Sequence, residues 1–217
     1  MSRSLSSLQR LCGMALMSAV AFLVLLVMRL PLFPAASFLD YECKDVVFAV
    51  AGMMYGPAGG TVVALVTCLI EFFTISHTGW IGLVMNLVSS LSFVLPVAFL
   101  YQKKHTATRA LVGLVIGALL SCATMLLWNV IFTPMYMGIP RPAVIEMLLP
   151  VFLPFNLLKG SLNAGLCYLL WHLLAPLLAK ARLLSEARAK TPFSLLGILL
   201  PAALLLTGSI VAILLLR

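Results

Sequence analysis

Residues 150–171, PVFLPFNLLKGSLNAGLCYLLW, contain one charged side chain, Lys159, inside an otherwise apolar run. On an α-helix, Asn156, Lys159 and Asn163 fall at positions i, i+3 and i+7, so two amides and a cation project from one face. A lysine within a membrane costs roughly 2.5–3.5 kcal/mol on insertion scales, and such residues usually face a cavity or a partner. The stretch therefore predicts a transmembrane helix whose polar face belongs to a pathway or a binding site.

A structural role for Lys159 is the alternative. An ion pair with either Glu146 or Asp45 would satisfy the ammonium group without any ligand. The sequence pattern is compatible with both roles of Lys159, in a binding site and in a structural ion pair.

The composition is that of a polytopic membrane protein. Of the 217 residues, 63% are hydrophobic and 9% are charged, and the mean hydropathy is +1.17, values outside the range of soluble globular domains. The formal net charge of +8 does not indicate nucleic-acid binding, because the basic residues form short clusters between apolar runs. The cysteines and histidines are scattered, so they predict neither a metal site nor a disulfide framework.

The apolar segments predict an all-α fold in a single transmembrane domain, with a six-helix core over residues 10–180 and a seventh hydrophobic helix appended at 191–217. The core spans are residues 11–28, two segments within 44–70, then 81–101, 110–132 and 149–179. The two segments are separated at Gly56-Pro57 because proline interrupts a helix, and because two spans return the basic loop 102–109 to the side of the amino terminus. The segment 44–55 is too short to cross about 30 Å of hydrocarbon, so we expect protein to enclose it.

The distribution of positive charge predicts the orientation. Most lysines and arginines fall near the amino terminus, in residues 102–109 and in residues 180–190, and such clusters remain in the cytoplasm. We therefore expect a multi-pass membrane protein with a cytoplasmic amino terminus. A cleavable signal peptide is the alternative for the first apolar run, but this run is longer than the usual stretch of about 7–15 residues.

Motifs for catalysis or nucleotide hydrolysis are missing from the sequence: it has no G-x-x-x-x-G-K-[ST], no H-E-x-x-H and no G-x-S-x-G. Polar side chains instead gather near the predicted outer ends of the helices, namely Asn86, Asn129, Asn156 and Lys159. These donors and acceptors suit a neutral polar molecule, although each asparagine could equally form an interhelical hydrogen bond of about 0.6 kcal/mol. An intramembrane enzyme therefore has few groups to work with, and any pumping across the membrane must be powered by another protein.

The first helix carries a pair of small residues one turn apart, Ala15 and Ala19, with Gly13 and Ser18 beside them. Small residues at this spacing let another helix approach closely in lipid. The pair predicts either a docking surface for another protein or ordinary packing within the chain.

Four stretches of the sequence resemble a known family. They are SFLDYECKDVVFAVAGMMYGPAGG at 37–60, TGWIGLVMNLVSSLSFVLP at 78–96, LWNVIFTPMYMG at 127–138 and LPFNLLKG at 153–160. Together they resemble the riboflavin-specific S components of energy-coupling factor (ECF) transporters. The resemblance implies a six-helix subunit of the bacterial plasma membrane that captures riboflavin, or the related flavin mononucleotide, outside the cell. It also implies docking onto a transmembrane coupling protein driven by two ATPase subunits.

The resemblance further implies roles for individual residues. The flavin would be a transported ligand rather than a cofactor, contacted by six side chains: Asn129, Asn156, Lys159, Asn86, Leu39 and Tyr41. The first loop would cover it as a lid containing Phe38, Asp40, Glu42 and Asp45, and Ala15 and Ala19 would dock onto the coupling protein. The loop is more charged here than is usual in the family, and the seventh segment has no counterpart in the six-helix core. An S component for another vitamin or nucleobase-like compound, and a structural membrane subunit, are the alternatives.

Overall fold

A computed structural model describes residues 6–31, 39–76, 78–181 and 183–184, together with Leu195, Leu199 and Ala203. Six α-helices and two short strands follow one another in these ranges: α1 Ser7–Val27, β1 Arg29–Pro31, β2 Asp40–Glu42, α2 Lys44–Thr74, α3 Gly79–Lys103, α4 Ala107–Met137, α5 Arg141–Met147 and α6 Leu153–Lys180. Five helical stretches in the described residues are long and apolar enough to cross a membrane, which confirms the predicted all-α membrane fold. Apart from the three single residues named, the predicted seventh segment lies outside the described residues.

Helix α1 begins with a capping box. The Ser6 hydroxyl accepts a hydrogen bond from the Gln9 amide, and the Gln9 side chain accepts one from the Ser6 amide. Two of the four amides that a helix start leaves unpaired are thereby satisfied. Most of the α1 surface is apolar and exposed, and only its inner face packs on α2.

Helix α2 is a hairpin of two helical segments that meet at Gly56. Gly56 has φ 86° and ψ 178°, a conformation that is essentially restricted to glycine. A Cβ atom on Gly60 would lie 3.0 Å from the Cα atom of Gly52, and Lys44 at the start of α2 contacts Glu71 near its end. Residues 27 positions apart on a straight helix would be about 40 Å apart. The predicted separation into two antiparallel segments is therefore confirmed.

The first segment of the hairpin, residues 44–55, is enclosed by protein as the sequence predicts. All of its residues except Val47 and Met54 are buried. The surrounding helices thus shield a segment that is too short to span the bilayer by itself.

Helices α3 and α4 pack closely because glycines on α4 face the backbone of α3. A Cβ atom on Gly113 would lie 2.8 Å from the Cα atom of Val97, and one on Gly117 would lie 2.4 Å from the carbonyl oxygen of Phe93. The predicted end of this helix at residue 132 is wrong. Proline removes only one hydrogen-bond donor, so α4 continues through Pro134 and ends where Gly138 adopts a left-handed conformation, φ 66°.

The last long helix has a more complex start than the sequence indicates. The short helix α5 leads into a π-helical turn, Leu148–Phe152, which continues directly into α6. The turn contains Pro150, and the wider π spacing is a common local adjustment near functional sites.

The first loop contains a small antiparallel pairing that the sequence did not predict. Strands β1 and β2 align Arg29 with Glu42, Leu30 with Tyr41 and Pro31 with Asp40. We call these paired residues, 29–31 and 40–42, the strap. Three-residue strands have no recognisable periodicity, so the hydrophobic pattern could not reveal them.

Two sets of contacts define the ends of the helical bundle. At one end, the Arg10 guanidinium donates to the Tyr55 carbonyl and the Gln102 amide donates to the Met53 carbonyl. At the other end, Arg29 and Asn86 both donate to Glu71. The amino end of α1, the Gly56 turn and the basic 102–106 loop therefore share one end, which we call the basic end, and the strap lies at the opposite, acidic end.

Candidate substrate-binding site

A cavity of about 320 Å³ opens at the acidic end of the bundle. This volume lies at the lower limit of the roughly 300–1,000 Å³ typical of small-molecule sites. Apolar side chains form one part of the wall and polar or charged groups form the rest: Arg29, Leu39, Asp40, Glu42, Glu71, Ser76, Thr78, Ile81, Gly82, Met85, Asn86, Met125, Asn129, Tyr136, Phe155 and Lys159. The strap and four helices thus contribute to one site.

Several of the sequence-predicted contact residues come together in this cavity. Lys159, Asn129, Asn86 and Leu39 line it. From the predicted lid, Asp40 and Glu42 also line it, as part of the strap.

Three other predicted residues are buried close to the cavity without being part of its lining. They are Tyr41 in the strap, Asp45 in the first turn of α2 and Asn156 in α6. Asp45 is thus helical rather than part of the loop. Phe38 lies outside the described residues.

Lys159 is connected to a buried polar network through Asp45. The Lys159 ammonium lies 3.8 Å from Asp45 Oδ2, and the Ser90 hydroxyl donates to Asp45 Oδ1 at 2.5 Å. The Asn163 amide donates to Asp45 Oδ2 at 3.3 Å, and the Tyr41 hydroxyl donates to Asn163 Oδ1 at 3.0 Å. Lys159 and Asn163 therefore share a helix face, as their spacing predicts, and the open alternative of a contact with Asp45 is present in the structure. The other candidate partner, Glu146, is exposed.

The three predicted asparagines all use their amide groups within the protein. Asn129 and Asn156 each donate to the carbonyl one turn earlier, at Met125 and Phe152, both at 2.8 Å. The Asn86 amide donates to Glu71 at 3.1 Å. These bonds fix the orientation of each side chain, which is the usual way in which a site is preorganised.

A second polar cluster forms the wall of the cavity at the strap, and we call it the charge cluster: Arg29, Glu42, Lys44 and Glu71. The Lys44 side chain is only 1% exposed and lies 2.7 Å from Glu42 and 2.5 Å from Glu71. Arg29 lies 3.0 Å from Glu42 and 3.5 Å from Glu71. Two cations therefore bridge the same two carboxylates, which ties the strap to the end of α2.

Sequence reasoning missed the charge cluster, although one signal was available. Glu71 follows directly after a run of uncharged residues, 46–70, and a carboxylate at such a position is by default a candidate for function. Its partner Lys44 is 27 positions away, and only the hairpin at Gly56 brings the two together.

The ionisation of the strap residues follows from these contacts. Burial raises the pKa of the Glu42 carboxyl, but the neighbouring cations, Lys44 first, outweigh burial and hold that pKa below its ordinary value. Burial, with the adjacent Cys43 thiol, raises the pKa of Tyr41. At neutral pH, Glu42 is therefore a carboxylate and Tyr41 a neutral phenol that can donate a hydrogen bond.

The small residues of α1 lie away from the cavity. Ala15 and Ala19 are exposed on the outer face of the helix, whereas Gly13 and Ser18 face α2. A Cβ atom on Gly13 would lie against the Tyr55 hydroxyl, at 2.1 Å. The alanine pair thus remains available to another molecule.

Known proteins share both the sequence pattern and the fold of this chain. The sequence profile of the family described as "ECF transporter, substrate-specific component" matches residues 9–171. The riboflavin transporter FmnP of Bacillus subtilis is 26% identical over 80% of this chain and 96% of its own length. The riboflavin transporter RibU of Staphylococcus aureus is 28% identical over 79% of this chain and 93% of its own length.

The fold comparison agrees with the sequence comparisons. A solved S component of a bacterial ECF transporter superposes with a TM-score of 0.69 at 25% identity, covering 80% of this chain and 99% of that one. The chain is therefore a member of the family of substrate-specific components of ECF transporters.

Proposed function

We propose that this chain captures riboflavin from outside the cell and delivers it through an ATP-driven ECF module. The observation that carries the proposal is the cavity at the acidic end, in which Lys159, Asn86 and Asn129 line one space together with apolar side chains. Relatives from two bacteria are named riboflavin transporters, which agrees with a ligand that has both an apolar ring and a polar chain. Riboflavin is the cargo of such a subunit and not a cofactor.

The apolar and polar parts of the cavity wall match the ring system and the ribityl chain of riboflavin. Leu39, Ile81, Met85 and Phe155 offer apolar surface for the ring system. The ribityl hydroxyls and the ring carbonyls need donors and acceptors, which the amides and the ammonium group supply. This division favours a neutral, amphipathic ligand.

Lys159 would donate directly to the ligand, because its ammonium group has three donor positions and lies 3.8 Å from Asp45, too far for a strong hydrogen bond. Asn156 lies one turn earlier on the same helix and would contact the ligand after a small rearrangement. Asn156→Ala should therefore weaken binding less than removal of the Lys159 ammonium.

The strap would act as the lid of the site. Asp40 and Glu42 contribute to the cavity wall from β2, and β2 reaches the bundle through the charge cluster. Movement of the strap would then open a route from outside.

The basic end would face the cytoplasm, because Arg10, Lys103 and Lys104 gather there and positive residues are retained on that side. The exposed pair Ala15 and Ala19 would dock onto the transmembrane coupling protein, which two ATPase subunits would drive. Separate ATPase subunits agree with a sequence that lacks the phosphate-binding loop motif.

Uptake of labelled riboflavin by cells without their own riboflavin transporter tests this function. Cells that make the chain together with an ECF module should accumulate riboflavin, and cells that make either one alone should not. Omission of the ATPase subunits is the matched control for energy coupling. The proposal would be wrong if the complete set of subunits gave no more uptake than empty cells.

A further inference from the structure

We infer that Asp45 is a positioning residue for Lys159: it holds the ammonium group at the cavity wall and makes the position of that group depend on the strap. The inference rests on the proposed function, because it concerns how the same site holds its ligand. It starts from the places of the two side chains. Lys159 lines the cavity and its side chain is 16% exposed, whereas Asp45 lies outside the lining and its side chain is 3% exposed.

Asp45 supplies the counter-charge for Lys159. The two cations of the charge cluster contact the two carboxylates of that cluster. Among the described residues, Asp45 is the one carboxylate that forms an ion pair with Lys159. A buried carboxylate without a cation nearby is strongly destabilised, so the pairing favours a conformation of Lys159 that keeps its ammonium group beside Asp45.

The distance within this pair leaves the ammonium group able to bind a ligand. Lys159 Nζ lies 3.8 Å from Asp45 Oδ2, beyond the roughly 2.7–3.2 Å of an N–H···O hydrogen bond. Coulomb attraction therefore holds the cation at this place without using one of its three hydrogen-bond donors. Asp45 thus positions Lys159 and does not compete with the ligand for its donors.

Donors from two other helices fix the Asp45 carboxylate itself. Asp45 lies in the first turn of α2. The Ser90 hydroxyl of α3 donates to its Oδ1 at 2.5 Å, and the Asn163 amide of α6 donates to its Oδ2 at 3.3 Å. Each carboxylate oxygen therefore has a protein donor, which preorganises the counter-charge of Lys159.

The strap reaches this carboxylate through Tyr41 and Asn163. Tyr41 lies in β2 and is buried, and its hydroxyl donates to Asn163 Oδ1 at 3.0 Å. The Cys43 thiol donates to the same hydroxyl oxygen at 3.2 Å, which directs the phenol proton to Asn163. The orientation of the Asn163 amide is thus set from the strap on one side and from Asp45 on the other. Displacement of the strap would therefore alter the support of Asp45 and, through it, the position of Lys159.

A double-mutant cycle of riboflavin affinities tests the positioning role. The purified full-length chain is titrated into a fixed concentration of riboflavin, and the quenching of flavin fluorescence is measured. Asp45→Asn keeps the size of the side chain and removes its charge, and it should weaken binding roughly threefold to tenfold. In a Lys159→Met background the same change should alter the affinity by less than about twofold, because Asp45 acts through the lysine.

A merely structural role of Asp45 gives a different result in this cycle. Asp45→Asn would then weaken binding by the same factor with Lys159 and with Met at position 159, and this outcome would overturn the inference. Melting temperatures of all variants, measured in the same detergent, separate a loss of folding from a loss of affinity.

Tyr41→Phe tests the connection to the strap while Lys159 and Asp45 stay in place. It removes only the hydroxyl group and should weaken riboflavin binding roughly twofold to fivefold. This factor should be lost when Asp45→Asn is already present; the same factor in both backgrounds would indicate that Tyr41 contacts the flavin directly. Tyr101→Phe is the matched control, because it removes the hydroxyl of a buried tyrosine outside the cavity lining, and it should bind riboflavin like wild type.

The titrations distinguish a failure of the inference from a failure of the proposed function. If wild type binds riboflavin and a folded Asp45→Asn protein binds it equally well or more tightly, the inference is wrong and the proposed function stands. Unchanged affinity in Tyr41→Phe would overturn the connection to the strap. If wild type does not bind riboflavin, the proposed function and the inference are both wrong.

Discussion

Lys44 Nζ lies 2.5 Å from Glu71 Oε2, which joins the first residue of a helical hairpin to the end of its second segment. Glu42 completes this arrangement from the strap, at 2.7 Å from the same ammonium group. A cation so deeply buried is stable only with its partners in place, and the cluster therefore couples the strap, the hairpin and the cavity wall.

The first prediction concerns the stability of the charge cluster. Lys44→Met should lower the free energy of unfolding by about 3–5 kcal/mol, because it removes the buried cation between two buried carboxylates and leaves them with Arg29 as their remaining ion-pair partner. Thermal unfolding of the detergent-purified protein measures the effect. Lys103→Met, at an exposed residue of the basic end, is the control and should unfold close to wild type. Equal melting temperatures for the two variants would show that the cluster contributes nothing to folding.

The second prediction concerns the turn of the hairpin. Gly56→Ala should destabilise the protein by about 1–3 kcal/mol, because φ 86° with ψ 178° is a conformation that side chains strongly disfavour. Gly79→Ala is a matched comparison, since Gly79 also has a positive φ, 59°, and a Cβ atom there would meet nothing within 4 Å. The melting temperature should fall more for Gly56→Ala. The reverse order would contradict the assigned turn.

The hairpin also shows what the sequence could reveal. Gly56-Pro57 and the charge distribution were sufficient to predict two segments. The break at proline is a local property of the backbone, and the membrane topology depends on the order of charged residues along the chain. The burial of residues 44–55 followed from helix length alone. Helix ends were predicted less well: a proline at position 134 did not end α4, because intrahelical bonding on either side outweighs the loss of one donor.

The candidate site, too, could be predicted from the sequence only in part. Lys159, Asn86 and Asn129 could be selected because each is a polar residue in an apolar run, and all three line the cavity. The strap could not be predicted, because pairing of Arg29 with Glu42 depends on contacts between distant residues. The partnership of Lys44 with Glu71 required the hairpin geometry as well as the two charges.

The third prediction concerns docking. Ala15→Leu combined with Ala19→Leu should abolish most riboflavin uptake, because bulky side chains on this exposed face prevent close helix approach. Riboflavin binding by the purified variant should survive, since the pair lies outside the cavity lining. Ala123→Leu makes the same change at an exposed position of α4 and should retain uptake. Loss of binding in the double variant would instead indicate a role in internal packing.

The fourth prediction concerns orientation. Cys12 is exposed and the other four cysteines are buried, so a Cys12→Ser background should react little with a membrane-impermeant thiol reagent. In that background, Glu146→Cys at the acidic end should be labelled in intact cells, and Thr106→Cys at the basic end only after the membrane is opened. Labelling of Thr106→Cys in intact cells would reverse the proposed topology.

The central claim is that the cavity binds riboflavin with Lys159 as a direct donor, and a titration of riboflavin fluorescence against purified protein tests it most directly. Wild type and Lys180→Met, which alters an exposed lysine of the same helix, should quench riboflavin alike. Hydrogen bonds to charged donors contribute about 1.5–3 kcal/mol, so Lys159→Met should bind roughly tenfold to a hundredfold more weakly. Asp45 keeps Ser90 and Asn163 as donors in that variant, so the protein should still fold. Absence of quenching by wild type, or unchanged affinity in a stable Lys159→Met protein, would contradict the claim.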